Sequence, residues 1–203
     1  MRIGRSAVAF VACALGLLIV TPIAPADINL DWRPLQQTVY VGDPIDIGIY
    51  AVSDNTESQP FSSAQAILAW DPDYLLLTGS YDDLWTSGFI AGDSFGLNEA
   101  SPPADGNGLW LGLVFLGQTI DANPEGTLLT TMTFNTLQET PETLVDILAS
   151  AQQPSCPVCY SKVISGTQNI IGTIGGPAGV EIIPEPTSLS LLALGLVTLW
   201  RRR

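Results

Sequence analysis

The segment Ile45–Ala51, with the sequence IDIGIYA, alternates apolar side chains with polar or small ones at a period of two residues. This period is typical of a β-strand that turns one face towards a core. A second segment, Thr127–Asn135, intersperses apolar side chains with threonines in a less regular alternation. The two segments predict that the central part of the chain forms a sheet.

Other short apolar runs are separated by Gly, Pro, Asn and Asp, which favour turns. They predict strands at Gln37–Val41, Ser63–Trp70, Tyr74–Thr78, Leu109–Leu116, Thr143–Leu148, Tyr160–Ile164 and Ile170–Ile174. The glycine-rich region Gly166–Ile183 is predicted to end in a last strand that grades into a short tether. Around nine short strands, with no long helical period among them, predict an all-β fold of the β-sandwich kind.

The charge of the chain is strongly acidic, with twenty acidic residues, seven basic ones and no histidine in 203 residues. Between Asp27 and Ile183 there are nineteen acidic residues and only two basic ones, Arg33 and Lys162, which gives a net charge of minus seventeen. Such a surface repels phosphate backbones, so we expect no nucleic-acid binding. The absence of histidine removes the usual imidazole base and the commonest zinc ligand.

The first 26 residues have the pattern of a secretory signal peptide. A basic start, Met1–Arg5, precedes the apolar run Ala7–Val20 and a small-residue site, Ala24-Pro25-Ala26. Cleavage is predicted after Ala26, and the alternative is an uncleaved anchor helix. Cys13 lies inside the apolar run, so we expect it to be discarded with the signal peptide.

Residues 182–203 are predicted to form a C-terminal tail that is separate from the β-domain of residues 27–181. A proline-rich start precedes the uncharged segment Thr187–Trp200. As a helix this segment would be about 21 Å long, which is short for a membrane span of ~20 residues. With Ile182 and Ile183 added, a tilted or thinning fit becomes possible, with the arginines on the cytoplasmic side. The alternative is a buried C-terminal helix of a soluble domain.

The tail contains, in this order, the motif Pro184-Glu185-Pro186, the apolar helix and the cluster Arg201-Arg202-Arg203. In this order the three parts resemble the PEP-CTERM sorting signal. The resemblance implies processing by an exosortase, a membrane-embedded cysteine protease or transpeptidase that cuts near the motif. It also implies an exported protein that the tail holds in a membrane, transiently or permanently. The family is associated with the cell surface and with the exopolysaccharide matrix. The resemblance covers about 20 residues and concerns sorting, not the activity of the domain.

Three patches of the predicted domain resemble cohesin-like jelly-roll domains when taken in order. They are an early V-G-D within Val41–Ile47, a central aromatic-Asp-Pro turn within Ala69–Leu75 and a late G-T-L strand within Glu125–Phe134. The resemblance implies a jelly-roll β-sandwich related to cohesins and to carbohydrate-binding modules. Cohesins bind dockerins through a sheet face, and the patches do not locate that face here.

Cys156 and Cys159 form a C-x-x-C motif in a chain predicted to be exported. We expect a small disulfide, because the compartment is oxidising. A redox-active pair would need a βαβ context, and a zinc site would need further ligands without any histidine.

Acidic turns provide the candidate metal site. Asp121, Asn123 and Glu125 offer oxygen ligands of the kind that calcium prefers, although the spacing does not match an EF-hand. We therefore consider calcium a possible cofactor, and solvated turn acids are the alternative.

Tyr81 and Trp85 lie in a loop-like segment rich in Gly, Asp and Ser, and are the candidate sugar-stacking rings. The alternative is that they fill the core. Paired carboxylates could serve a glycosidase, but no motif flanks them, so we expect no enzymatic activity.

The leading hypothesis is a structural or interaction protein of the cell surface or extracellular matrix. The runner-up is a module that binds extracellular polysaccharide.

Overall fold

The computed structural model describes residues 27–81, 85, 87–91, 104–150 and 160–185, and their regular structure consists of strands. The strands are β1 (Ile28–Arg33), β2 (Gln36–Tyr40), β3 (Pro44–Ser53), β4 (Gln59–Phe61), β5 (Ser63–Trp70), β6 (Leu75–Tyr81), β7 (Ser87–Ala91), β8 (Asn107–Leu113), β9 (Ile120–Ala122), β10 (Thr127–Thr136), β11 (Thr140–Leu148), β12 (Lys162–Ser165), β13 (Gln168–Asn169), β14 (Ile171–Ile174) and β15 (Ala178–Ile183).

Two large sheets form the domain. The first has five strands in the order β14-β1-β3-β10-β6. The second has eight strands, with the path β13-β12-β5-β11-β15-β2 and with β8 joining β5 to β7. Strands β4 and β9 form a separate two-stranded sheet. The prediction of an all-β sandwich is therefore confirmed.

Apolar side chains from both sheets meet in one core. Strand β3 buries the apolar positions of its alternating segment, and β1 buries Ile28, Leu30 and Trp32 in the same way. The bulkiest fully buried rings are Trp32, Trp110, Phe61 and Phe134. This burial of apolar surface is the main stabilising term of the fold.

A buried threonine joins the early V-G-D patch to the late strand β10. Thr136 is 3% exposed, and its hydroxyl lies 2.9 Å from the carbonyl oxygens of both Tyr40 and Asp43. Its own carbonyl accepts a hydrogen bond from the N–H of Gly42, which has a φ of +88°. Because this φ favours glycine, we interpret the patch as a turn between β2 and β3. Hydrogen bonds with Thr136 connect this turn to the end of β10.

The central aromatic-Asp-Pro patch is also a turn. The Asp71 carboxylate accepts a hydrogen bond from the N–H of Asp73, and the Asp71 carbonyl accepts from Tyr74 and Leu75. Trp70, just before the turn, packs edge-on against Phe134 with ring centroids 5.6 Å apart. The patch thus directs the chain from β5 to β6 and fixes a core tryptophan at the same point.

Glycines of the C-terminal region allow β14 to lie close beside β1. A Cβ at Gly172 would clash with the Asn29 carboxamide oxygen, and one at Gly175 would clash with the Asp31 carboxylate. The same Asn29 oxygen accepts hydrogen bonds from the N–H and the hydroxyl of Thr173. The glycine-rich region Gly166–Ile183 therefore forms β13, β14 and the last strand β15 and is not a tether.

The last strand of the domain runs two residues past the predicted boundary after residue 181. Strand β15 continues through Ile182 and Ile183 and lies between β11 and β2. Ile182 is 1% exposed and is paired with Thr140 on one side and Val39 on the other. These two isoleucines belong to the sheet and are not available to lengthen a membrane helix.

Several strands differ from the prediction; β4, β7 and β9, for example, were not predicted. The first strand, Ile28–Arg33, was not predicted, although its apolar positions alternate. The strand predicted at Leu109–Leu116 ends at Leu113, because the chain turns at Phe115–Gln118, where the Gln118 N–H donates to the Phe115 carbonyl. The predicted signal helix lies outside the described residues, as does the predicted apolar helix of the tail.

The position of Ile182 in the sheet gives a stability prediction. In a chain of residues 27–185, we expect Ile182→Ala to lower the free energy of unfolding by about 2–5 kcal/mol, because it leaves a cavity in the core. Leu144→Ala, at a side chain 45% exposed on the neighbouring strand, should change it by less than about 0.5 kcal/mol. Urea denaturation followed by fluorescence measures both. Equal small effects would mean that Ile182 belongs to the tail.

Candidate functional site

The chain leaves the domain at one end of the sandwich, which we call the exit end. The Ile183 carbonyl accepts a hydrogen bond from the Val41 N–H at 3.0 Å, and Thr140 pairs with Ile182. The turn at residues 137–139 meets the turn at 71–74 here, through a bond from the Leu137 N–H to the Tyr74 carbonyl. Pro184 and Glu185 follow directly and are exposed.

Carboxylates surround the exit end. Exposed acids of the turns at this end are Asp43, Asp71, Asp73, Asp105 and Glu139, and Glu185 follows in the chain itself. The two basic residues of the domain lie elsewhere. Arg33 contacts Gly126 and stacks on the Tyr50 ring at 4.8 Å, and Lys162 pairs across from Gln65. The exit end is therefore an acidic surface.

The opposite end of the sandwich carries an apolar surface, the apolar tip, formed by Leu113, Val114, Phe115 and Leu116. Leu113, Phe115 and Leu116 are 39%, 67% and 104% exposed. Strand β5 runs from Ser63, paired with Leu113, to Trp70 near the exit end. Its eight residues separate the two ends by ~25 Å at about 3.3 Å per residue.

A groove of about 560 Å³ lies beside the apolar tip. One wall is the turn of residues 113–119, and the other is formed by Ile164, Gly166 and Thr167. Neither the segment 113–119 nor the turn 165–168 contains a charged residue. An uncharged apolar segment on a strongly acidic domain is the kind of surface that marks an interaction site.

The predicted sorting residues fall on both sides of the described boundary. Pro184 and Glu185 are exposed at the exit end, whereas Pro186, Arg201, Arg202 and Arg203 lie outside the described residues. Cys156 and Cys159 also lie outside them, so their disulfide stays a prediction. Across the part of the chain that the structure describes, no helix is long and apolar enough to cross a membrane.

The predicted calcium ligands lie in the turn before β10. The Asn123 side-chain oxygen accepts a hydrogen bond from the Ser58 hydroxyl at 2.6 Å, and the Asp121 carbonyl accepts one from Thr127. The Glu125 carbonyl accepts one from Arg33. Among the described residues, no group of three or more acidic, cysteine or histidine side chains is placed to hold a metal. Calcium binding stays a prediction.

The expectation that Trp85 lies at the surface is wrong. Its side chain is 9% exposed, and its ring packs edge-on against Phe61 and Trp110 at 5.9 and 5.5 Å. The indole N–H donates to the Leu129 carbonyl at 2.7 Å. A Cβ at Gly112 would lie 2.5 Å from the indole, so this glycine leaves room for the ring.

Tyr81, the other predicted sugar-stacking residue, is 66% exposed at the end of β6. Its carbonyl accepts a hydrogen bond from the Thr130 hydroxyl at 3.2 Å. Because Trp85 is inside the core, the structure does not bring the two rings together on one exposed face.

The C-terminal residues 183–203 match a family described as the PEP-CTERM protein-sorting motif. The chain carries a PEP-CTERM sorting motif. The motif implies export and sorting at a membrane. It begins at the last residue of β15, so the PEP-CTERM segment joins the sheet of the domain without an intervening linker. No curated protein matches the sequence.

The domain is similar in fold to cohesin modules of solved structure. One is the cohesin module of a family 33 glycoside hydrolase from Clostridium perfringens, with a TM-score of 0.54 and 13% identity over 79% of this chain and 99% of that one. Another is the sixth cohesin of scaffoldin B from Acetivibrio cellulolyticus, in complex with a Cel5 dockerin mutant, with a TM-score of 0.52 and 11% identity over 77% and 99%. The predicted cohesin-like sandwich is confirmed as a fold.

The sequence prediction missed the apolar tip because it placed Phe115 and Leu116 inside a strand. The usable signal was the run Leu109–Leu116, which ends in consecutive apolar residues before Gly117 instead of alternating. Gly117 has a φ of +84°, a conformation that favours glycine in a turn.

The burial of Trp85 can be tested by stability. We expect Trp85→Ala to lower the free energy of unfolding by about 3–5 kcal/mol, as for other buried aromatic residues. Phe115→Ala, an aromatic truncation at an exposed site, should cost less than about 0.5 kcal/mol. Both changes can be measured by urea denaturation. If Trp85→Ala left the stability unchanged and weakened binding to a polysaccharide, the result would place Trp85 at the surface and contradict its burial.

Proposed function

We propose that this chain is an exported protein that an exosortase-type enzyme sorts through its C-terminal tail. In this proposal the domain acts outside the cell as a non-catalytic interaction module. The observation that carries the proposal is the PEP-CTERM motif at residues 183–203, attached directly to the last strand of a complete sandwich. The final location is the cell surface or the extracellular matrix, as the sorting signal suggests.

The geometry of the two ends supports the interaction role. When the tail is held in a membrane, the exit end faces the lipid and the apolar tip points away from it. The tip is then the part of the domain that a partner outside the cell meets first. Its exposed Leu113, Phe115 and Leu116 suit the apolar core of a protein interface, where charged residues are depleted. We therefore propose a surface or matrix protein as the partner.

The likeness to cohesins supports an interaction module by analogy of fold. Several of the similar structures are cohesins in complex with dockerins, which are protein partners. Polysaccharide binding is the second candidate. It rests on the exposed Tyr81 ring alone, because Trp85 lies in the core.

Sorting can be tested with tail variants of the full chain. We expect Glu185→Ala, and replacement of the three terminal arginines by serine, to change membrane retention or release without unfolding the domain. Both changes lie beyond the last strand. Fractionation of cells and medium, with an antibody to the domain, measures the distribution. Glu142→Ala, at an exposed acid on β11, is the control and should behave as the unchanged protein. A tail variant that is processed normally would contradict the sorting role.

The role of the apolar tip can be tested with a double substitution. We expect Phe115→Ser with Leu116→Ser to weaken binding to the protein fraction of the host's matrix by at least about tenfold, since it removes two apolar contacts. Leu35→Ser, at a side chain 60% exposed elsewhere, is the matched control. Binding is measured on a biosensor surface. A parallel assay on the host's exopolysaccharide, with and without calcium, distinguishes the second candidate. Binding to polysaccharide but not to protein would favour it.

A further inference from the structure

Strand β2 is an edge of the second sheet, and its outer side is open. It pairs with β15 and ends the path of the sheet among the described strands. The Leu35 carbonyl, just before β2, accepts a hydrogen bond from the Gly179 N–H of β15. Successive residues of a strand turn their backbone N–H and C=O groups to opposite sides. Those of Gln36 and Thr38 therefore point away from β15, to the side where no described strand lies.

The regularity of β2 distinguishes it from the other edge strands whose side chains the structure describes. Its five residues pair with β15 in an unbroken register, from Gln36 opposite Gly179 to Tyr40 opposite Ile183. In contrast, the register shifts beside the edge strands β6 and β14, and β13 has only two residues. Proteins normally protect an edge with a bulge, a proline or a charge. The sequence of β2, QQTVY, contains neither a proline nor a charge, so this edge is able to accept a further strand.

The structure leaves room for a further strand beside β2. The side chains of Gln36, Thr38 and Tyr40 are exposed. A groove of about 370 Å³ is lined by Gln36, Gln37, Thr38 and Glu181. An added strand would lie about 4.8 Å from β2. Its backbone would form hydrogen bonds with the outward N–H and C=O groups of Gln36 and Thr38.

The charges around this edge favour a basic partner. Glu181, on the strand next to β2, accepts a hydrogen bond from the Thr38 hydroxyl at 2.9 Å. Asp43 is exposed in the turn that follows β2. The two cations of the described domain, Arg33 and Lys162, both lie over tyrosine rings on other strands. The carboxylates beside β2 are therefore available to the lysine or arginine side chains of a partner.

We propose that the open edge of β2 binds an extended, positively charged segment of a partner protein, which adds to the second sheet as a further strand. Backbone hydrogen bonds hold the segment in place, and its basic side chains lie beside Glu181 and Asp43. A second copy of the domain fits less well, because each copy carries a net charge of minus seventeen between Asp27 and Ile183. The site is separate from the apolar tip and does not depend on the proposed sorting.

The experiment measures the binding of synthetic peptides to the full chain in detergent by fluorescence anisotropy. The probe is the labelled peptide TKVKVKT, and its counterpart TEVEVET has a glutamate in place of each lysine. We expect only the lysine peptide to bind, with an affinity that falls as salt is added. Glu181→Gln should weaken this binding by about twofold to fivefold, as expected for an exposed ion pair.

Substitutions on β2 test the backbone pairing. Thr38→Pro removes an N–H that points away from β15, at an edge where proline is tolerated, and should weaken binding by at least about tenfold. Thr38→Val keeps the N–H and should change binding by less than about twofold. Gln36→Pro is a second variant of the same kind, and urea denaturation checks that each variant is folded. Phe115→Ser with Leu116→Ser, at the apolar tip, should leave peptide binding unchanged.

Two further peptides distinguish a paired strand from attraction by charge alone. Each is TKVKVKT with N-methyl groups on alternate residues, so that each lacks the N–H donors of one edge. Loss of binding for one of them and not for the other supports the inference. Equal affinity for both, or unchanged binding to folded Thr38→Pro and Gln36→Pro, overturns it. A dimer that Thr38→Pro abolishes, in a chain that does not bind the peptide, assigns the edge to a second copy and also overturns it. None of these outcomes affects the proposed sorting or the role of the apolar tip.

Discussion

The pairing of β15 with strands on both sides is the constraint on which the rest of the structure depends. Strand β2 comes near the start of the domain and β15 at its end, and their parallel pairing completes the second sheet. The core includes the chain through the last strand, since Ile182 fills part of it. The sorting segment is therefore separate from the folded domain only from Pro184 onwards. One strand thus sets both the limit of the fold and the start of the tail.

Sequence patterns predicted the class of fold well but located two features wrongly. The alternation in Ile45–Ala51 predicts directly which positions are buried, and the burial pattern of β3 agrees with it. Ile182 and Ile183 gave no such information, because a short apolar run next to an apolar tail does not distinguish a strand from a helix. Trp85 was misplaced because its neighbours in sequence are loop-like. The contacts that bury it, with Gly112 and the Leu129 carbonyl, come from distant parts of the chain.

The three patches that resemble cohesins have structural roles. The first is a turn closed by Thr136, and the second is an Asp71-capped turn that places Trp70 in the core. In the third, Gly126 has a φ of +97° and its N–H donates to the Asn123 carbonyl before β10 begins. All three patches thus serve the backbone of this sandwich. An interaction partner must therefore be sought on other surfaces, such as the apolar tip.

The charge at the exit end matters for the proposed hold in a membrane. The exit end is acidic and connects to the apolar segment through no more than about 10 Å of chain. Charges that close to a lipid surface are within roughly one Debye length, about 8 Å at physiological ionic strength. Anionic headgroups would therefore repel the exit end while the tail holds it, and the repulsion would vanish by screening once the domain moves away. The uncharged apolar tip has no such conflict, because ~25 Å of sheet separates it from the lipid. Under the proposed sorting, this repulsion favours movement of the domain away from the membrane once the tail is cut.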